Sequence, residues 1–369
     1  MTAPDTPRPA TPRPATVRPT TVRPTTATTV SGPVPATDLG LTLTHEHLRN
    51  DVRAAVRAPA DPALAFLRGA RTTPGLAWLL REEPYACLDH CTLDDDTAML
   101  ADLRAFASTG GGTVVDVTPP GLGRDPLALR SFADDSGLRI VMGSGWYLEQ
   151  YHPAHLASAG EEALAAELVA EFTGGADGTG IRPGVIGEIG VSPDFTPDEH
   201  TALRAAARAQ RETGVPLYVH LPGWQRRAHE VLDIVLDGYG VPPGAVVLCH
   251  MDPSHADPGY QESVADRGVW LEFDMIGMPF SYPGEGQSPA PHETARAVAG
   301  LIGRGHGGRL LLSHDVFLKS MLTTYGGNGF QYVPMLFVRR LAALGVPAET
   351  AAGLLRANPA RLFEAAAAG

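Results

Sequence analysis

Leu41-Thr42-Leu43-Thr44-His45-Glu46-His47-Leu48 is a short apolar run that ends in two imidazoles. Strand side chains alternate faces, so His45 and His47 share one face, into the barrel proposed below, while Glu46 points outward toward flanking helices. The same grammar returns downstream. PLYVH over 216–220 ends in His220, AVVLCH over 245–250 ends in His250, and RLLLSHD over 309–315 closes on Asp315. Chemistry placed directly after an apolar run is the habit of parallel barrels, which carry active sites at the C-terminal ends of their strands.

Four further runs complete a set of eight: TVVDV (113–117), RIVMG (139–143), GVIGEI (184–189) and VWLEF (269–273). Helical patterns lie between them, such as 197–213, begun by Thr196-Pro197-Asp198-Glu199, and 224–238 with Val231, Leu232, Ile234 and Val235. Eight strand–helix alternations predict an α/β protein, a (β/α)8 TIM barrel, over residues 31–369. An open doubly wound sheet is the alternative, but no G-x-G-x-x-G follows the first strand. Residues 52–92 read as a helical insertion that caps the mouth. Residues 1–30, with TPRPA and TVRPT in near-tandem, lack the apolar residues for a core and read as a disordered tail.

Composition narrows the function. A net charge of −12 argues against a nucleic-acid surface. No run approaches the ~20 apolar residues of a membrane span, and no secretory signal is evident. Three cysteines make no disulfide framework, which suits a cytoplasmic protein. Cys87, His90 and Cys91 offer only three ligands and read as packing within the insertion. The chain contains one lysine, Lys319.

The histidines and carboxylates carry the chemistry. Any one strand-end histidine has a bland reading, a core imidazole bonded to a loop; four converging on one mouth do not. Glu188, in GVIGEIG, is costly in a buried parallel strand unless paired or metal-bound. Asp315 is a helix cap in the bland reading and a ligand in the other. His45, His47, Glu188, His220, His250 and Asp315 exceed what one tetrahedral ion needs. They fit two divalent ions ~3.5–4 Å apart that share a carboxylate and a hydroxide. Zinc is the first expectation, with manganese, cobalt and iron open.

Long blocks in this order resemble the phosphotriesterase family of the amidohydrolase superfamily: GPVPATDLGLTLTHEHL (32–48), GGGTVVDVTPPGLGRDP (110–126), GSGWYLEQYHP (143–153), GVIGEIG and LLLSHDVFLKSMLTTYGGNGF. The resemblance implies that His45, His47 and Asp315 hold a buried ion and His220 and His250 a more exposed one. Well-known members bridge the ions with a carboxylated lysine on the fourth strand. This chain has no lysine there, so Glu188 takes the bridge, as in a subset of the family. Organophosphate-cleaving members carry a histidine after the seventh strand, and Glu272-Phe273-Asp274-Met275 offers none. The implied reaction is hydrolysis of a carboxylic ester, lactone or amide in a small molecule, with Asp315 as proton carrier. Phosphotriester cleavage is the alternative, and a non-catalytic metal-binding barrel is the alternative of another class. Tyr147 resembles a tyrosine that reaches toward substrate in lactone-cleaving relatives, or else packs the mouth. Lys319 and Tyr325 are candidate substrate contacts, with a solvated loop lysine as the competing reading. The resemblance implies a homodimer, though no stretch names an interface.

A direct carboxylate bridge needs no carbon dioxide. Metal loading of apoprotein in bicarbonate-free buffer should therefore reach the metal content and activity seen with bicarbonate; a requirement for bicarbonate would contradict the Glu188 bridge.

Overall fold

The computed structural model describes residues 25–367. Eight parallel strands run in chain order around one sheet: β1 (Leu41–Glu46), β2 (Gly111–Asp116), β3 (Arg139–Ser144), β4 (Val185–Gly190), β5 (Leu217–His220), β6 (Val246–Leu248), β7 (Trp270–Phe273) and β8 (Leu310–Leu312). Each expected strand is present, and helices connect them, so the fold is the α/β barrel. The seam between β8 and β1 closes without a regular ladder. Ser313 Oγ accepts the His45 amide at 3.1 Å, and the Asp315 amide donates to the His45 carbonyl at 3.2 Å.

Alternation along the strands builds two cores. Inward residues Val115, Val141, Val185, Tyr218, Val247, Trp270 and Leu311 fill the barrel. Outward residues such as Val114, Ile140, Ile186 and Leu248 pack beneath the helices, and Leu43 joins them because the register of β1 shifts between Leu43 and Glu46, ahead of the inward histidines. A barrel interior filled with side chains cannot conduct a ligand, so chemistry is confined to its ends. The helix Pro197–Thr213 shows how the sequence sets its elements. Thr196 and Glu199 form a reciprocal capping box, Pro197 occupies the first turn, and Gly214 terminates it in the left-handed region.

Three expectations need revision. Residues 1–24, most of the presumed tail, lie outside the described residues, but its end is structured: Thr26–Thr29 pairs antiparallel with Gly32–Pro35. This hairpin places Ala27 against Leu39, Leu362 and Phe363, and so shuts the N-terminal end of the barrel. The apolar periodicity of a core segment is absent there because the buried residues, Ala27, Thr29 and Val30, are small or polar except for Val30. The insertion is mostly 3₁₀ turns (Arg53–Ala55, Pro62–Gly69, Pro74–Leu76) with one short α-helix, Ala77–Glu82. Proline and glycine every few residues limit it to short pieces. A two-residue ladder between Asn50–Asp51 and Thr92–Leu93 ties its ends together. The helix expected over 224–238 starts at Ala228, which leaves Trp224 in the loop after β5. No helix among the described residues is long and apolar enough to cross a membrane.

Phe363 is 3% exposed and far from the strand ends that carry the histidines. Phe363→Ala should lower unfolding stability by ~3–5 kcal/mol, read by denaturant titration, while metal bound per folded chain stays constant.

Candidate metal centre and active site

The six ligand candidates meet at the C-terminal mouth. The His45 and His47 rings lie 5.6 Å apart, both on the inner face of β1. His47 Nε2 is 3.3 Å from Asp315 Oδ1 and 3.6 Å from Glu188 Oε1. His45 Nε2 is 3.7 Å from Asp315 Oδ1 and from Glu188 Oε2. On the other side of Glu188, Oε2 lies 3.2 Å from His220 Nδ1 and 3.5 Å from His250 Nε2. Among the described residues, four overlapping donor groups result: His45, His47 and Glu188; Glu188, His220 and His250; His45, His250 and Asp315; and, behind them, His45, Cys249, Glu272 and Asp274; Glu188 belongs to the first two.

Backbone geometry is adapted to this arrangement. His250 and Asp315 are two of only four described non-glycine residues with positive φ, at 59° and 53°. Such conformations cost of order 1–3 kcal/mol and persist only where the surroundings impose them. Gly187 has φ 125°, and a Cβ there would sit 2.6 Å from the Tyr218 carbonyl oxygen, so glycine must precede Glu188.

Three of the four imidazoles are oriented by their other nitrogen. His47 Nδ1 meets Thr118 Oγ1 at 2.8 Å. His250 Nδ1 meets Asp274 Oδ1 at 2.8 Å, and Asp274 also accepts the His250 amide. His45 Nδ1 lies 3.3 Å from both Glu272 Oε2 and Asp274 Oδ2. Carboxylates behind metal-binding histidines fix the ring and raise its basicity. Glu46, on the outer face of β1, accepts from Ser313 Oγ, the His314 and Val316 amides, and His314 Nδ1, all within 2.7–3.0 Å. It therefore clamps the short loop that presents Asp315.

Electrostatics explain why this cluster calls for cations. Burial disfavours a charged His45, yet Asp274, Glu188 and Glu272 outweigh it and raise the imidazole to about 10. Burial likewise opposes ionisation of Glu188, but His220 and His45 hold its carboxyl well below the usual range. His45 Nε2 is buried and has no hydrogen-bond partner among the described residues, and its carboxylate neighbours stand beyond hydrogen-bond reach. Buried carboxylates, an orphaned ring nitrogen and paired histidines make up a nitrogen–oxygen donor set that suits divalent cations.

The cluster forms the floor of a cavity of about 460 Å³ that His47, Tyr147, Glu188, His220, His250 and Asp315 all line. Tyr147 stands at this floor, its hydroxyl 3.5 Å from His220 Nε2 and its ring 4.7 Å from that imidazole. Burial keeps its phenol protonated, so it can donate a hydrogen bond. Lys319 and Tyr325 do not reach the cavity. Lys319 Nζ is buried between Asp94 at 2.7 Å and Asp89 at 3.1 Å, and the Tyr325 hydroxyl donates to Asp95 at 2.6 Å. Proximity to Asp315 in sequence suggested a substrate contact; in space both residues tie their loop to the insertion and the next helix. Cys87, His90 and Cys91 pack the insertion, and burial lowers His90 to about 4 and pushes the Cys91 thiol up to about 12.

Glu272, Asp274 and Glu46 were not singled out as functional from the sequence. A signal existed: VWLEFD sets two carboxylates in an apolar strand, the anomaly that exposed Glu188.

The model of the phosphotriesterase family matches residues 25–363. An N-acetyltaurine hydrolase from Tetraodon nigroviridis is 33% identical over 335 residues, 90% of this chain and 95% of that protein. A resiniferatoxin-binding protein from Rhodobacter sphaeroides is 47% identical and superimposes with a TM-score of 0.91, over 93% of this chain and 96% of that one. A variant organophosphorus hydrolase from Deinococcus radiodurans is 31% identical, with a TM-score of 0.71 over 92% of this chain and 97% of its own.

Glu46→Gln leaves every candidate ligand in place but puts an amide donor among groups that already donate. Turnover or metal affinity should fall ~10–100-fold, measured by kinetics beside elemental analysis, with the fold retained by circular dichroism. A variant that matched wild type in both would remove Glu46 from the positioning of Asp315.

Proposed function

The chain belongs to the phosphotriesterase family, and from that premise we propose a hydrolase that cleaves a carboxylic ester, lactone or amide at a centre of two divalent cations. The observation that carries this reading is the convergence of six donors at one mouth, five lining the cavity floor and His45 buried beneath it, with Glu188 common to two of the donor groups. His45, His47 and Asp315 would hold one cation, His220 and His250 the other, and Glu188 would contact both. Zinc is the first candidate. When bound, such cations acidify water and polarise the oxygen of the scissile group.

The protein's own residues supply positioning and proton movement. Asp315 lines the cavity and is clamped from behind through Glu46, so its carboxylate is held where an attacking water would lose a proton. It accepts that proton and delivers it to the leaving nitrogen or oxygen. Tyr147, which lines the cavity with its phenol protonated, would donate a hydrogen bond to the substrate. The name of the curated relative is that of an enzyme acting on an amide, which puts amides first among the three bonds. Phosphotriester cleavage ranks lower: the carboxylates Glu272 and Asp274 stand where organophosphate-cleaving members are expected to offer a histidine, and both face His45.

Elemental analysis should find about two ions per chain in wild type and a sharp drop in Glu188→Ala. Asp315→Asn should keep most of the metal yet lose ~10²–10⁴ in kcat. Unchanged turnover in Asp315→Asn would exclude it as the proton carrier, and one ion per chain regardless of Glu188 would exclude the shared carboxylate.

A further inference from the structure

The walls of the cavity differ in character from its floor. Three aromatic side chains from three separate loops form a continuous face: Tyr85 from the insertion, Trp224 from the loop after β5, and Tyr282 from the loop after β7. Tyr85 and Tyr282 have ring centroids 5.9 Å apart, Tyr282 and Trp224 5.4 Å apart, and both pairs are tilted. The Tyr282 hydroxyl donates to Met278 Sδ at 3.0 Å, so its polar end is already engaged. The face is fixed by close packing, since a Cβ at Gly286, four residues beyond Tyr282, would run into the Trp224 indole.

Charge is distributed in a complementary way. Above the histidine floor, Arg57 is the one lysine or arginine among the described lining residues, and it is exposed at the rim. Its guanidinium lies over the Tyr85 ring, 5.4 Å from the centroid, and donates to the Pro283 carbonyl at 3.2 Å. The other charged residue of the upper wall, Glu285, is also exposed and is anionic. A sulfonate or carboxylate remote from the scissile bond would therefore meet aromatic faces and a carboxylate, with no buried cation to replace its hydration. An uncharged aryl group would meet the ring faces and edges that it packs against best. The volume of about 460 Å³ is within the range that encloses a drug-sized ligand, well beyond an acetyl amide of a two-carbon acid.

We infer that this chain acts on uncharged substrates that carry a bulky, aromatic-sized apolar group, and that the Tyr85–Tyr282–Trp224 face selects them over small anionic N-acyl compounds. The inference rests on the hydrolase reading for its chemistry, but the selection itself is a property of binding.

Three probes separate the two: N-benzylphenylacetamide, which is uncharged and diaryl; N-phenylacetyltaurine, which has the same acyl group but an anionic end; and N-acetyltaurine. Calorimetric binding and kcat/KM are measured on metal-loaded wild type, Trp224→Ala and Trp224→Phe. The expected result is that the uncharged diaryl amide binds at least about tenfold more tightly than N-acetyltaurine, with N-phenylacetyltaurine between them. That ratio should collapse in Trp224→Ala and be retained in Trp224→Phe. Equal or tighter binding of N-acetyltaurine, lost in Arg57→Gln, would overturn the inference and leave hydrolysis standing. The expected order of binding without turnover of any probe would uphold the selective face and count against the amide reading. A ratio unaltered in Trp224→Ala would remove the aromatic face as its cause.

Discussion

Four carboxylates, Glu188, Glu272, Asp274 and Asp315, are packed around His45 at the mouth of the barrel with almost no access to water. Such a cluster is unstable unless positive charge is brought to it. Protons on His45 and His250 provide some, which is why both imidazoles are raised. Divalent cations would provide more and leave the imidazoles neutral as ligands. Much else in the architecture serves to hold negative charge at that point: the left-handed backbone at His250 and Asp315, the glycine before Glu188, and the clamp from Glu46. The centre is built in layers, with the candidate ligands in front, carboxylates behind the histidines, and Glu46 behind the loop of β8. On the proposed reading, metal affinity and proton transfer would be set in part by residues that no substrate touches.

Fold and floor were legible because both are written in local pattern. Each strand announces itself as an apolar run, and each ligand candidate on β1, β5, β6 and β8 follows such a run directly. Long-range partnership was not legible. Glu272 and Asp274 drew notice only for the histidine they lack, although two carboxylates in a strand as apolar as VWLEF require partners as surely as Glu188 does. Lys319 was misplaced for the opposite reason, since nearness in sequence to Asp315 stood in for nearness in space. The chain turns at Leu318, and the amine points back to Asp89 and Asp94 across more than 220 residues. The hairpin at Thr26–Thr29 was hidden by the Thr- and Pro-rich composition it shares with the preceding repeats.

The walls of the cavity divide labour with its floor. The floor comes from strand ends, whose positions are fixed by the barrel, whereas the aromatic face comes from loops. Loops vary without cost to the barrel, so one reaction centre can be matched to different substrates by changing the surfaces above it. The insertion between β1 and β2 supplies Tyr85 and Arg57, and its ends are held by the ladder between Asn50–Asp51 and Thr92–Leu93.

The lone lysine has a chemical corollary. Its amine is enclosed by two carboxylates and is 4% exposed as a residue, while every other basic side chain of Lys or Arg type is a guanidinium. Sugars, aldehydes and activated esters attack free lysine amines, and on this protein they find one such target, buried and ion-paired. Glycation and formaldehyde cross-linking, which age or fix most proteins through their lysines, have almost no lysine foothold on its surface.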